Sequence, residues 1–152
     1  MKSVRDYIPH IVVFISSMGI MIIELLASRI ISKYFGNSLY TWTGIIGIVL
    51  GGITVGNYVG GKIADRYPAV KAAPLLLLTA SALTLFLLVL DVLIGFAMSS
   101  ITFSSTAVMM LSAVAVIFIL FFLPSTALGT ISPVMAKYAL ERSDKIGSTV
   151  GG

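Results

Sequence analysis

Four long apolar runs, separated by short polar links, set the pattern of the chain. They cover residues 8–32, 39–61, 72–99 and 107–138. Each run reaches the roughly 20 residues that an α-helix needs to cross the hydrocarbon layer of a bilayer. In the fourth run Pro124 and Pro133 predict a kink, with the helix continuing beyond it. The pattern predicts an all-α protein, a polytopic membrane bundle of four transmembrane helices in a single domain over residues 1–152.

The second run is unusual because it is rich in glycine. Gly52, Gly56 and Gly60 recur every four residues and therefore form one stripe along a helix. Gly47 and Gly51 begin a second stripe beside it. In lipid, small residues let two helix backbones approach closely, and this packing drives helix association. The spacing predicts that the second helix sits inside the bundle and that the other helices pack on it.

Composition and charge support a membrane protein and exclude several other classes. Hydrophobic residues make up 58% of the chain and charged residues 11%, whereas soluble domains are about half apolar and about a quarter charged. The net charge of +4 arises at the ends of the apolar runs, which indicates orientation in a membrane rather than nucleic-acid binding. With no cysteine and one histidine, His10, the chain offers no disulfide framework and no cysteine or histidine metal cluster. We expect no cofactor, and we expect no enzymatic activity because no catalytic constellation is present at workable spacing.

The orientation follows from the distribution of positive charge. Of the 10 lysines and arginines, only Arg29 and Lys33 fall on the side that carries the first link; the others lie at the N-terminus, in the second link and in the tail. Because cytoplasmic loops carry the excess of positive residues, both termini are predicted to be cytoplasmic in the cell membrane. The first run is longer than the roughly 7–15 apolar residues of a signal peptide and lacks a cleavage site, so it is predicted to be a retained helix.

Polar side chains inside the apolar runs are the candidate functional residues. Glu24 lies deep in the first run, where an acid is costly, and it shares a helix face with Ser17 and Ser28 that is predicted to point into the bundle. Arg29 is expected either to reach the membrane surface or to pair with an acid of another helix, and Asp91 of the third run is the candidate. Two hypotheses remain: a proton or substrate-cation site, or a polar clamp that holds helices one and three in register, which we favour.

Two other features lead to further expectations. Asn57, near the cytoplasmic end of the second helix, is expected to form an interhelical hydrogen bond in preference to a substrate contact. The small-residue tail at residues 147–152 is typical of the first turns of another helix, so we expect a fragment or half of a split protein. A plain flexible terminus is the alternative.

Two stretches resemble known families. Gly61-Lys-Ile-Ala-Asp-Arg66, between the second and third runs, resembles the G-x-L-A-D-R loop of major facilitator transporters, which lies at the same place in their topology. A longer match resembles the membrane part of spermidine-synthase-like fusion proteins, which join a facilitator-like helical region to a soluble aminopropyltransferase-like domain. That match covers residues 15–29, 34–42, 52–66, 128–134 and 146–152.

The resemblance implies both a function and a set of site residues. It implies part of a major-facilitator half that moves or holds a small solute, with cationic solutes and polyamines among the candidates. Glu24 and Arg29 would be family features, and Gly61, Asp65 and Arg66 would form a turn at the cytoplasmic face. The alternative is a non-transporting membrane anchor or assembly module for a soluble aminopropyltransferase-like enzyme. Nothing in the chain can form the parallel sheet of that enzyme, so polyamine synthesis by this chain alone is not expected.

The expected partners follow from the same reasoning. The lipid bilayer is the first of them. Four helices leave the small-residue and apolar faces only partly covered, so a homo-oligomer or a second polypeptide is expected to complete the bundle. A soluble synthase-like partner fits the anchor hypothesis, and no nucleic-acid partner is expected.

Overall fold

Helices account for nearly all of the described chain. A computed structural model describes residues 4–141, with side chains from residue 7 onward, and this part of the chain contains no strand. The all-α prediction is confirmed. The helices are α1 (Val4–Phe35), α2 (Leu39–Arg66), α3 (Ala69–Met98), α4 (Thr106–Gly129) and α5 (Ile131–Leu140). The further helix predicted from residue 147 lies outside the described residues.

Four helical segments are long and apolar enough to cross a membrane. They are Tyr7–Phe35, Leu39–Arg66, Ala69–Met98 and Thr106–Leu140, the last of which joins α4 and α5. These segments coincide with the four predicted runs, so the chain is a multi-pass membrane protein. The predicted kink is a break at Thr130, which lies between Pro124 and Pro133.

Local side chains explain where α2 begins. Gly36 adopts the left-handed conformation, with φ of 72°, which glycine tolerates without a steric penalty. Ser38 then caps the helix, because its hydroxyl oxygen accepts a bond of 3.3 Å from the Thr41 N–H. The Thr41 hydroxyl oxygen in turn accepts a bond of 3.0 Å from the Ser38 N–H, which completes a capping box. The link between α1 and α2 is therefore only three residues long, at Gly36–Ser38 in sequence.

The other end of α2 corrects a prediction. The motif of Gly61, Asp65 and Arg66 was expected to form a turn, but all three residues are helical. The helix ends at Arg66, and the next residue, Tyr67, has an extended backbone with φ of −123° and ψ of 146°. The cause is Pro68, because the ring of a proline disfavours the α conformation of the residue before it. The charged end of α2 is thus an extension of the membrane helix.

The centre of the bundle is shared by α2 and α4, which contact every other helix and make the largest contact with each other. The packing of all helices on α2, as predicted, is incomplete only for α3, which packs mainly on α4 and α5 and hardly touches α2. Ile117, Leu120 and Phe121 of α4 are fully buried. The glycine stripe of α2 lies on one face, and a narrow face accommodates one close neighbour. The bulky side chains of α4 point in several directions and therefore fill the space between three helices.

The glycine stripe itself lies against α4 and α5 as its spacing predicted. A Cβ added at Gly52 would lie 2.9 Å from the Phe122 carbonyl oxygen, and one added at Gly60 would lie 2.5 Å from the Thr130 carbonyl oxygen. At Gly56, the Cβ would overlap the Thr126 carbonyl. Real Cβ atoms do not approach main-chain atoms so closely, so only glycine permits this contact.

The second predicted stripe has no such contact. Around Gly47 and Gly51, no heavy atom of the described residues lies within 4 Å of an added Cβ. This side of α2 is open, and two glycines four residues apart leave a smooth surface on it.

Candidate functional site

A small cleft lies between α1, α2 and the junction of α4 with α5. Its volume is about 150 Å³. Ser16 and Ser17 line it from α1, Asn57 from α2, and Gly129 and Ser132 from the junction. The space suits a few water molecules or one small solute. Its wall combines these polar groups with the apolar side chains of Val13, Ile20, Ile53 and Leu128.

The local sequence explains why these groups meet. Asn57 follows Gly56 directly, so it stands about 100° around the helix from the contact stripe and flanks the seam between α2 and α4. Gly129 belongs to the close contact between α2 and α4, since a Cβ added to it would lie 2.8 Å from the Ile53 carbonyl oxygen. Ser132 comes just after the break at Thr130. The close approach of the backbones therefore brings Asn57 and Ser132 to one cleft.

Three of the lining side chains have unused hydrogen-bonding groups. Ser16 is buried and donates to the Val12 carbonyl at 2.8 Å. Ser17, Asn57 and Ser132, in contrast, are exposed and make no side-chain hydrogen bond to any described residue. The interhelical bond predicted for Asn57 is therefore not formed within the described part of the chain. Polar groups at membrane depth without partners are costly and mark sites where a ligand or water can bind.

The lining residues of α1 and α2 lie at similar distances from the ends of their helices. From Tyr7, where the first span begins, to Ser17 the helix advances about 15 Å. From Asn57 to Arg66, where the second span ends, the advance is about 14 Å. Lys62, the first charged residue after Asn57, lies about 8 Å further along α2, so Asn57 is nearer the charged end of this helix than its middle. The unpartnered groups of α1 and α2 thus stand at the same depth.

Glu24 lies beside the buried face of α1 rather than on it. The buried positions of this helix include Ser16, Ile23, Ala27 and Ile30, which differ by one residue from the predicted face. Ser17 is accordingly exposed, and Glu24 and Ser28 are half-buried. The predicted face is therefore only partly turned into the bundle: Ser17 lines the cleft, while isoleucine and alanine at the neighbouring positions fill the contact with the other helices. Glu24 has no hydrogen bond or ion pair with another described residue.

Glu24→Gln is therefore expected to change the free energy of unfolding by no more than about 0.5 kcal/mol. The melting temperature of the purified protein should accordingly stay the same. The amide fills the same volume, and no cation of the described chain loses its partner. Ile23→Gln is the neighbouring control, since Ile23 is buried and a polar group in its place lacks a partner. Equal loss of thermal stability in the two variants would show that Glu24 is a structural ion-pair partner.

Asp91 joins α3 to α1 through two other residues. Its carboxylate accepts a bond from Lys33 Nζ at 3.0 Å and one from the Tyr34 hydroxyl at 2.7 Å. The Tyr34 hydroxyl also lies 3.0 Å from the Asp91 carbonyl oxygen. Gly95, one turn further along α3, leaves room for the ring, since an added Cβ would lie 3.1 Å from the Tyr34 hydroxyl.

The predicted pair of Arg29 with Asp91 is thus wrong. Arg29 is exposed and has no side-chain partner among the described residues, while Lys33, one helical turn later, stands at the level of Asp91. A polar contact between helices one and three does exist, but Lys33, Tyr34 and Asp91 form it. It lies near the ends of α1 and α3, far from the cleft.

The charged end of α2 contains a contact that the sequence did not indicate. Lys137 of α5 donates to the Ala64 carbonyl, in the last turns of α2, and lies 3.6 Å from Glu141. A cation is stabilising at that position because the carbonyl end of a helix carries partial negative charge. Asp65 and Arg66 are exposed and form no ion pair within the described residues. From the sequence, Lys137 counted only as one more charge for orientation.

A larger cavity of about 440 Å³ lies at the other end of α2, against the start of α4. Leu39, Tyr40 and Met110 contribute to its apolar wall. Two of its threonine hydroxyls are already occupied, since Thr41 belongs to the helix cap and Thr43 donates to the Leu39 carbonyl at 2.9 Å, while the Tyr40 hydroxyl has no partner among the described residues. The cavity therefore offers shape but few free polar groups, and the smaller cleft is the better candidate site.

Among residues 4–141, no group of three or more histidines, aspartates and glutamates could hold a metal ion. Comparison of the chain with family models, with curated proteins and with solved structures gives no match. The fold and the cleft define the chain as a multi-pass, all-α membrane protein with a polar site between its helices.

Proposed function

We propose that the chain is a membrane domain that binds a small polar solute in the cleft and takes part in moving it across the bilayer. The observation that supports this proposal is the convergence of Ser17, Asn57 and Ser132, which lack partners among the described residues, at the break of a membrane helix. A gap in the hydrogen bonding of a membrane helix is tolerated where it lines a cavity, and transporters place their binding sites at interrupted helices.

The sequence resemblance to the facilitator-like region of spermidine-synthase-like proteins agrees with this proposal. It adds small cationic solutes to the candidates, and Glu24 lies on the cleft side of α1, four residues beyond Ile20 of the cleft lining. Under this proposal Glu24 attracts the solute, and the neutral oxygens of the cleft bind it.

Asn57→Ala is the variant that tests the proposal. Full-length protein in liposomes is given a panel of small amines, amino acids and polyols, and counterflow of each is measured. We expect at least a tenfold loss of flux, because the amide is the largest unpartnered polar group of the cleft. Thr54→Val is the matched control, since Thr54 lies on the same helix, is exposed, and donates to the Leu50 carbonyl. Equal flux in Asn57→Ala and in the unmodified protein would overturn the assignment of the cleft.

We further propose that both termini are cytoplasmic in the cell membrane, as the charge distribution predicts. Because the chain has no cysteine, each introduced cysteine is the only thiol of its variant. Cysteines at Asn37 and Ser104 are expected to react with an impermeant maleimide from outside intact cells. Cysteines at Tyr67 and Lys71 are expected to react only after lysis. All four positions are exposed in the folded protein, so the reverse labelling pattern would invert the orientation.

A second candidate function is a non-transporting anchor or assembly module for a soluble synthase-like enzyme. The open stripe of Gly47 and Gly51 supports it, because a smooth helix surface without a close neighbour suits a further helix. A second copy of the chain or another polypeptide would supply that helix. Light scattering, corrected for detergent, is expected to show an assembly larger than a monomer. A monodisperse monomer, unchanged by Gly51→Leu, would contradict this candidate.

A further inference from the structure

We propose that an anionic phospholipid binds to the membrane-facing side of α2, with its headgroup on Lys62 and Arg66. These two residues and Tyr58 recur every four residues, so they form one line, the basic line, at the charged end of the helix. All three side chains are exposed. Lys62 Nζ lies 4.4 Å from the centre of the Tyr58 ring, and this cation–π contact holds the ammonium group on the line.

The basic line faces away from the rest of the bundle. Tyr58 and Lys62 each come two residues after a glycine of the contact stripe, about 200° around the helix from that stripe. Toward the middle of α2 the same side continues to Gly51 and Gly47, where no heavy atom of the described residues lies within 4 Å of an added Cβ. Lipid therefore reaches the line, and acyl chains can lie along α2 while the headgroup contacts the two cations.

The cations of the basic line are not neutralised by the described protein. Neither Lys62 nor Arg66 forms a hydrogen bond or an ion pair with another described residue. Asp65 lies at the same end of the helix, but it is exposed and pairs with neither cation. Lys71, in the first turn of α3 across the two-residue link at 67–68, adds a third exposed cation. The cations outnumber the acid here, so the field at this end of α2 is positive.

Charge and position together select the ligand. Basic residues at a membrane surface attract anionic lipids, and each lysine or arginine adds to the binding. The Arg66 guanidinium can donate to two oxygens of one phosphate, while the Lys62 ammonium, one helical turn away, acts as a point charge. A zwitterionic lipid carries the same phosphate, but its own ammonium group cancels the charge, so the line favours an anionic headgroup. This surface is separate from the cleft, and the inference does not depend on solute transport.

A single tryptophan beside the basic line tests the inference. Trp42 is the only tryptophan of the chain, so Trp42→Phe removes the native signal. Val55→Trp then places one fluorophore at an exposed position about 10 Å along α2 from Lys62, at the depth of acyl chains. The full chain is reconstituted in phosphatidylcholine vesicles that contain brominated phosphatidylglycerol or brominated phosphatidylcholine, because bromine quenches nearby tryptophan. We expect phosphatidylglycerol to be preferred at this position on the order of tenfold.

Charge-removing variants of this reporter protein assign the preference to the basic line. Lys62→Gln and Arg66→Gln are each expected to lower it about fivefold, and the double variant is expected to abolish it. Arg29→Gln is the control and is expected to keep the preference, because Arg29 is exposed and without a side-chain partner among the described residues, but lies toward the other end of the bundle.

Three results would overturn the inference. The first is equal quenching by the two brominated lipids in the reporter protein. The second is a preference for phosphatidylglycerol that survives in the double variant. The third is the absence of quenching by either lipid, which would show that a protein helix, and not lipid, covers this side of α2.

Discussion

Gly56→Leu is expected to separate α2 from α4 and to abolish the folded bundle. A Cβ at this position would overlap the Thr126 carbonyl and lie 3.0 Å from the Gly129 Cα. These are main-chain atoms, so no side-chain rotation relieves the overlap, and the helices must move apart along the length of their contact. Overpacking commonly costs about 1–3 kcal/mol and more where the backbone is involved, and we expect the upper end or beyond here.

The open stripe of Gly47 and Gly51 supplies a matched control for this prediction. Gly47→Leu makes the same chemical change on the same helix, but no heavy atom of the described residues lies within 4 Å of its added Cβ. The adjacent pair Gly60→Ala and Gly61→Ala repeats the comparison with a single methyl group, since Gly60 is in close contact and Gly61 is not. Folded protein is measured by size exclusion and melting temperature in detergent. Similar losses at Gly56 and Gly47 would refute the assigned packing face.

Asp91→Ala is expected to loosen the contact between α1 and α3 and to lower stability by about 2 kcal/mol. The side chain of Asp91 is 16% exposed, and alanine removes the carboxylate that accepts from the Tyr34 hydroxyl and leaves it only the main-chain carbonyl of residue 91, at 3.0 Å. Asp91→Asn keeps an acceptor for Tyr34 and loses only the charge that attracts Lys33. Because the Lys33 side chain is 55% exposed, that ion pair is worth about 1 kcal/mol or less.

The order of the variants in stability is therefore the informative result. We expect Asp91→Ala to be less stable than Asp91→Asn, and Arg29→Ala, which changes an exposed residue outside this contact, to resemble the unmodified protein. Chemical unfolding in mixed micelles measures the differences. If alanine and asparagine were equally destabilising, the ion pair with Lys33 would be the main contribution, against our assignment to Tyr34.

Sequence patterns predicted the parts of the fold that depend on local rules. The glycine spacing identified the contact face of α2, because a four-residue repeat puts three glycines on one line. Pro124 and Pro133 bracketed the helix break, since neither has an N–H to continue the ladder. In contrast, the sequence ended α2 too early, because the charges of Asp65 and Arg66 suggested a loop although only Pro68 stops the helix.

Contacts between helices could not be predicted in the same way. α1 is apolar on all sides, so its pattern does not show which face is buried, and the face of Glu24 was assigned one position away from the true one. The pairing of Asp91 depends on how far α3 is shifted along α1, which no periodicity specifies. The cleft depends on both, so its residues could be named only in part: Asn57 and Ser17 were candidates, while Gly129 and Ser132 were not.

The close contact between α2 and α4 has a consequence for biosynthesis. Ribosomes deliver the chain from its N-terminus, and domains begin to fold in that order. When α2 enters the membrane, the helix that fills its glycine groove has not yet been translated, and all of α3 must follow first. The groove is therefore exposed to lipid or to the insertion machinery during synthesis. The contact between α2 and α4 can form only when Thr126 and Gly129 reach the bilayer. The synthesis and insertion of α3 therefore delay the assembly of the bundle.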